Sequence, residues 1–234
     1  MTARRPRVFF ALRSPYSWIA LRRLSELVPD ATERLDYIPF WEPDALTEAA
    51  LHERGAEIIY TPMSKAKHLY LLSDTKRLTA KYGYPMAWPI DVDPWWELPN
   101  LAWLLARRQG AAMPFYLALT EARWERGENI CDPAIVAAAA ESVGLDGREL
   151  AAAPDDPSLR AEGVDMLAAA YDDDIFGIPY FRVGRHRLWG LDRLDLVVEA
   201  LGGTFTEPVS HDGVPDAVLA AVGAYDRDSA GGCG

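Results

Sequence analysis

Two X-Pro steps near opposite ends of the chain, Ser14-Pro15 and Ile178-Pro179, constrain its fold more than any other feature. The first ends a short apolar run, Val8-Phe9-Phe10-Ala11-Leu12, and opens an amphipathic segment. A serine hydroxyl therefore sits where a strand gives way to a helix. Pro15 suits the first helical position, where an N–H would have no partner. The second step, in Phe176-Gly177-Ile178-Pro179, can be cis and leads into a β-hairpin. Its backbone could face the start of the first helix.

The rest of the pattern is built around these steps. Residues 7–12 read as a strand, 15–28 as a helix with Ile19, Leu21, Leu24, Leu27 and Val28 towards the core, and 34–40 as a second strand. Near the other end, Pro179 to Val183, a turn at Gly184 and His186 to Trp189 make a hairpin, and a helix starts near Asp192. Between them, helical patterns run over 45–54, 65–82, 98–109, 113–126, 132–143 and 159–171, broken by loops at Pro85, Pro89, Pro94 and Pro99. A β-α-β start, a long helical stretch and a β-β-α finish amount to an α/β fold, a thioredoxin-like sheet interrupted by a large all-helical insertion. The expected division is 1–43 with 172–203 for the sheet domain, 44–171 for the insertion, and 204–234 for an extension. In that extension 214–225 reads as a short helix and 226–234 as a mobile tail.

Composition narrows the function. Half of the 234 residues are apolar, enough for a sizeable core, and the formal charge of −11 argues against nucleic acid or an anionic membrane as the general partner. An anionic ligand needs a local basic pocket. The apolar stretch after Arg4, Arg5 and Arg7 is too short for a signal-peptide core, and nothing approaches the roughly 20 apolar residues that span a bilayer. A cytoplasmic location is expected. The cysteines, Cys131 and Cys233, form neither a CxxC pair nor a metal-like spacing, which disfavours a disulfide oxidoreductase. His52, His68, His186 and His211 share no spacing, and Asp172-Asp173-Asp174 reads as an acidic loop, so no metal is expected.

Four segments carry a resemblance to a family. Ser14-Pro15-Tyr16-Ser17-Trp18, the set Lys67, Tyr70, Asp74 and Arg77, the run from Trp124 to Pro133, and Phe176 to Pro179 followed by Trp189-Gly190-Leu191-Asp192-Arg193-Leu194 occur in order. The chain resembles the 2-hydroxychromene-2-carboxylate isomerases and kappa-class glutathione transferases over about 10–201. The resemblance implies glutathione, or another low-molecular-weight thiol, with its sulfur beside the Ser14 hydroxyl, which would stabilise the thiolate rather than act as nucleophile. It implies Ile178 and Pro179 on the cysteinyl backbone, Asp192 on the γ-glutamyl ammonium with Leu191 beside it in the glutathione site, and Lys67 and Arg193 on carboxylates. The implied activity is glutathione-dependent isomerisation, or transfer, on a small aromatic, anionic or polyketide-like substrate. Arg13, Tyr16, Tyr60, Trp88, Trp95 and Trp96 are candidates for its pocket. A homodimer is implied as well.

The chain departs from the family pattern at Ala11, Arg13, Tyr180 and Leu191. These leave open a relative that needs no thiol and binds a metabolite or partner protein in the same groove. Simpler roles compete at each position: Ser14 as a helix cap, Lys67, Asp74 and Arg77 as a solvated ion-pair face, Trp95 and Trp96 as core.

Overall fold

The structure, a computed structural model, describes residues 5–58 and 63–207. Its sheet is assembled from both ends of the chain. Strand β1 (Arg7–Phe10) pairs in parallel with β2 (Asp36–Pro39) and antiparallel with β3 (Tyr180–Val183), which pairs antiparallel with β4 (His186–Trp189). The order is β2-β1-β3-β4, so β1 is central and buried along its whole length. Alternation along a strand sends Val8 and Phe10 to one face and Phe9 to the other.

Helix α1 (Pro15–Leu27) begins at Ser14, whose extended backbone and side chain make it the cap: Ser17 N–H donates to Ser14 Oγ at 3.2 Å. It buries Trp18, Ile19, Leu21 and Leu24. After a one-turn helix α2 (Ala31–Arg34) and β2 come α3 (Ala45–Glu53), α4 (Lys65–Tyr82), α5 (Glu97–Arg108), α6 (Ala112–Trp124) and α7 (Pro133–Ser142). Then follow α8 (Gly147–Ala151) and α9 (Pro157–Asp172). The chain returns through β3, β4, a 3-10 turn (Leu191–Arg193) and α10 (Leu194–Ala200). The boundary expected at 43/44 falls in the loop before α3, and that at 171/172 in the last turn of α9. Most of the extension, with 214–225 and Cys233, lies outside the described residues.

The inserted helices share one apolar core with the sheet. Val8, Phe10, Leu24 and Phe181 belong to the same cluster as Trp103, Phe115, Leu119 and Leu167. Phe10 makes edge-on contacts with Trp103 and Tyr116, both at 5.3 Å between ring centres. On the opposite face Phe9 packs with Ile38, Ala170, Ile175 and Tyr180.

Two buried ion clusters fasten this frame. Asp173, just past α9, is ion-paired with Arg7 of β1 at 2.6 Å and accepts from Arg182 of β3. Arg123 of α6 meets Asp91 bidentately at 2.8 and 2.7 Å, and its guanidinium lies 4.9 Å from the Trp96 ring centre and 4.7 Å from that of Trp124.

Candidate active site

Beside the sheet, α4 and the segments flanking the β3–β4 hairpin enclose a cleft of about 790 Å³. Lys67, Tyr70 and Asp74 line it from α4, Ile178 and Pro179 from the loop entering β3, and Leu191, Asp192 and Arg193 from the turn after β4. Ile178–Pro179 is cis, and Gly190 N–H donates to Pro179 O at 2.9 Å, tying the two segments together. Gly190 has φ +93°, and a Cβ there would come within 2.6 Å of Asp192 Oδ1. Only glycine leaves that carboxylate where it stands. The six residues assigned by resemblance to glutathione, Lys67, Ile178, Pro179, Leu191, Asp192 and Arg193, thus line one cleft.

Two of the hydroxyls at the start of α1, those of Ser14 and Tyr16, are placed very differently. Ser14 is 0 % exposed and outside the cleft lining, its oxygen accepting from Ser17 N–H. A hydroxyl that accepts one bond keeps its proton to donate. Tyr16, two residues on, lines the cleft, and its phenol donates to Asp74 Oδ2 at 2.8 Å. Burial, then the hydrogen bond and charge of Asp74, push its pKa well above the ordinary phenol value, so the phenol stays neutral. Asp74 also accepts from Arg77 at 2.9 Å. The i, i+3 ion pair expected on this helix face is present, but its carboxylate also fixes Tyr16, a link that helical spacing alone does not reveal.

A second, much smaller cavity of about 30 Å³ lies on another side of Ile178, lined by Arg13, Trp41, Trp96 and Asn100 among others. Arg13 bonds Glu42 at 3.2 Å and lies 5.5 Å from the Trp96 ring centre. The candidates for an aromatic pocket are therefore divided: Tyr16 lines the large cleft, and Arg13 and Trp96 the small cavity. Trp88 lines neither, packing edge-on against Trp124 and beside Met63 and Leu71. Trp95 lines neither as well, since its indole N–H donates to Asp44 at 3.2 Å on the surface under Arg160. Tyr60 lies outside the described residues. Trp41 and Asn100 escaped the sequence reading; the signal for Asn100 is its position one helical turn after Trp96.

The model of the DsbA-like thioredoxin domain matches residues 7–202. The chain belongs to the DsbA-like thioredoxin domain family. Among its relatives, the 2-hydroxychromene-2-carboxylate isomerase of Pseudomonas putida is 24% identical over 196 residues, covering 83% of this chain and 92% of that protein. Glutathione S-transferase kappa 1 of Homo sapiens is 22% identical over 224 residues, covering 86% and 92%. A solved structure of a 2-hydroxychromene-2-carboxylate isomerase superposes with a TM-score of 0.66 at 25% identity, covering 84% of this chain and 94% of that one.

This DsbA-like thioredoxin domain has a serine cap, not a cysteine, at the head of α1. Cys131 is half-buried, and burial pushes its thiol up to about 12, so it stays protonated at neutral pH and unreactive. Among the described residues no group of three His, Cys, Asp or Glu is placed to hold a metal, and no helix is long and apolar enough to cross a membrane.

Proposed function

We propose that this protein is a glutathione-dependent isomerase or glutathione transferase acting on an aromatic or polyketide-like small molecule. The observation that carries the reading is the convergence of Lys67, Ile178, Pro179, Leu191, Asp192 and Arg193 on one cleft. Relatives of both catalytic types support it. The donor set fits the tripeptide, which carries two carboxylates and one ammonium. Lys67 and Arg193 match the carboxylates, Asp192 the ammonium, and the backbone of Ile178 the cysteinyl unit.

When bound, glutathione supplies a thiolate able to add reversibly to a conjugated substrate and so free a stiff double bond to rotate. The chain's own part is to hold and ionise the thiol. The 13-residue helix α1 directs its amino terminus, with partial positive charge, at the region of Ser14, and the Ser14 proton is the donor for a sulfur anion. Tyr16, neutral and fixed by Asp74, walls the cleft without adding charge. Because Ser14 is enclosed, a sulfur can meet its hydroxyl only when the side chains over it shift aside.

Calorimetry with glutathione on the protein and on Ser14→Ala tests this. Binding by both, with ultraviolet thiolate absorbance only where Ser14 is present, is the expected result. Equal absorbance in the variant would remove Ser14 from thiol activation. The enclosure of Ser14 favours one second reading, a relative that binds a metabolite or partner protein in the same groove with no thiol. Absence of heat with glutathione on the protein itself would leave that reading standing alone.

A further inference from the structure

Three residues lining the small cavity beside Ile178 carry a buried polar atom with no hydrogen bond among the described residues: Trp41 Nε1, Trp96 Nε1 and Asn100 Oδ1. Trp41 Nε1 lies against the Glu97 carboxylate, which leaves Trp96, 3 % exposed, and Asn100, 1 % exposed, as the pair with no partner among the described residues. Both residues line the cavity, one turn apart at the start of α5, so they share a face of the helix. The orientation of the Asn100 amide follows from chemistry: its nitrogen donates to Trp96 O at 2.8 Å, and a carbonyl can only accept. The cavity therefore offers one lone donor and one lone acceptor. Buried groups of this kind cost free energy until a partner arrives.

Charge decides what that partner is. Arg13, the cation at the cavity, is already bonded to Glu42. A carboxylate entering the cavity would satisfy the indole N–H but set its second oxygen against the lone pairs of Asn100 Oδ1. A hydroxyl satisfies both, accepting from Trp96 and donating to Asn100. The size agrees, because about 30 Å³ admits a group comparable to one or two water molecules. Phe40, Ile58 and Ile178 supply apolar wall against which a ring bearing that hydroxyl would rest.

We propose that this cavity is a subsite for a neutral hydroxyl on an aromatic or conjugated ring, read by Trp96 Nε1–H and Asn100 Oδ1, and that it discriminates against a carboxylate at that position. As an account of substrate choice it rests on the isomerase or transferase reading, and it adds which end of the second ligand enters beside Ile178. Ile178 lines both the cavity and the cleft, so a ring held there would lie next to a thiol held on the other side.

The test uses phenol and benzoate, followed through the indole N–H resonances of the ¹⁵N-labelled protein, with Trp96→Phe assigning one signal and Trp189, in the large cleft, as the internal control. Phenol should move the Trp96 signal, bind at least about tenfold more tightly than benzoate, and lose about tenfold in affinity in Asn100→Leu. Benzoate binding as tightly as phenol would overturn the proposal. So would a Trp96 signal that phenol leaves in place, which would make the cavity a water site. The ranking of the two probes on the unmodified protein needs no variant to fold. Glutathione is absent from these titrations, so a phenol response together with no heat from glutathione in calorimetry would sink the thiol reading and keep the subsite, and heat from glutathione with no phenol response would do the reverse.

Discussion

The ion pairs behind the sheet and those at the cleft are made of the same residue types and behave as opposites. Asp173 between Arg7 and Arg182, and Asp91 against Arg123, have side chains almost wholly removed from water apart from Arg182. Asp192 with Arg193 at 2.6 Å, and Lys81 with Glu207 at 2.9 Å, are each half or more exposed or close to it. In the first group, deleting one partner strands a charge in a low-dielectric interior. In the second, water replaces a lost partner at little cost. Pairs of the first kind fix elements, and pairs of the second can exchange their partners for the charged ends of a ligand.

The contrast is broken most decisively at Asp173. Asp173→Ala should cost about 3–5 kcal/mol and lower the melting temperature by roughly 10 °C, measured by denaturant and thermal unfolding. A loss under about 1 kcal/mol would place this cluster with the exposed pairs. Next in size, Asp91→Leu alone should cost about 3 kcal/mol, while Asp91→Leu combined with Arg123→Met should recover most of it, because the stranded charge goes too. A double variant as unstable as the single would show that the stacked guanidinium between Trp96 and Trp124 matters more than its charge balance.

Glu97 sharpens the comparison through pH. It is 0 % exposed, and burial, only partly offset by the N–H of Asp44 at 3.0 Å, raises its pKa above the ordinary carboxylate range. A group raised in the folded state contributes stability below its unfolded pKa and loses it as pH rises through the folded value. Glu97→Gln should therefore melt a few degrees higher than the natural protein at pH 7, with the gap closing as pH falls towards 4. A constant gap across that range would contradict the assignment. The smallest effect on stability belongs to the cleft: Arg193→Ala should change unfolding by under about 1 kcal/mol while weakening glutathione binding, and that binding should fall with added salt. Salt-insensitive binding would mean that the charged residues of the cleft do not hold the tripeptide.

Legibility from sequence follows how local the deciding physics is. Helix α4 was readable to its last residue, because Ser64 caps one end and Gly83, at φ 69°, closes the other. Ala31–Arg34 and Gly147–Ala151 escaped notice, being too short to show a period. In the site, motif order picked out residues of α4, the Ile178–Pro179 loop and the turn at Asp192 that line one cleft. It did not reveal that Ser14 is enclosed while Tyr16 faces the cleft, since that depends on what α4 brings against α1. The same limit separates Trp95 from Trp96, adjacent in sequence, one at the surface on Asp44 and the other beside the cavity.

The strand order also has a consequence in time. Phe9 pairs with Tyr180 and Arg7 with Arg182, so β1 gains its inner neighbour only after every helix from α1 to α9 has been made. A growing chain can close β1 on β2 early, but the other edge of β1, a strand buried along its whole length in the finished protein, waits for residues 180–183. Nascent chains halted before residue 180 should be cut by protease within β1, and chains halted well after it should resist. The site inherits the same schedule, because Ile178, Pro179 and Asp192 arrive with the strands that complete the sheet.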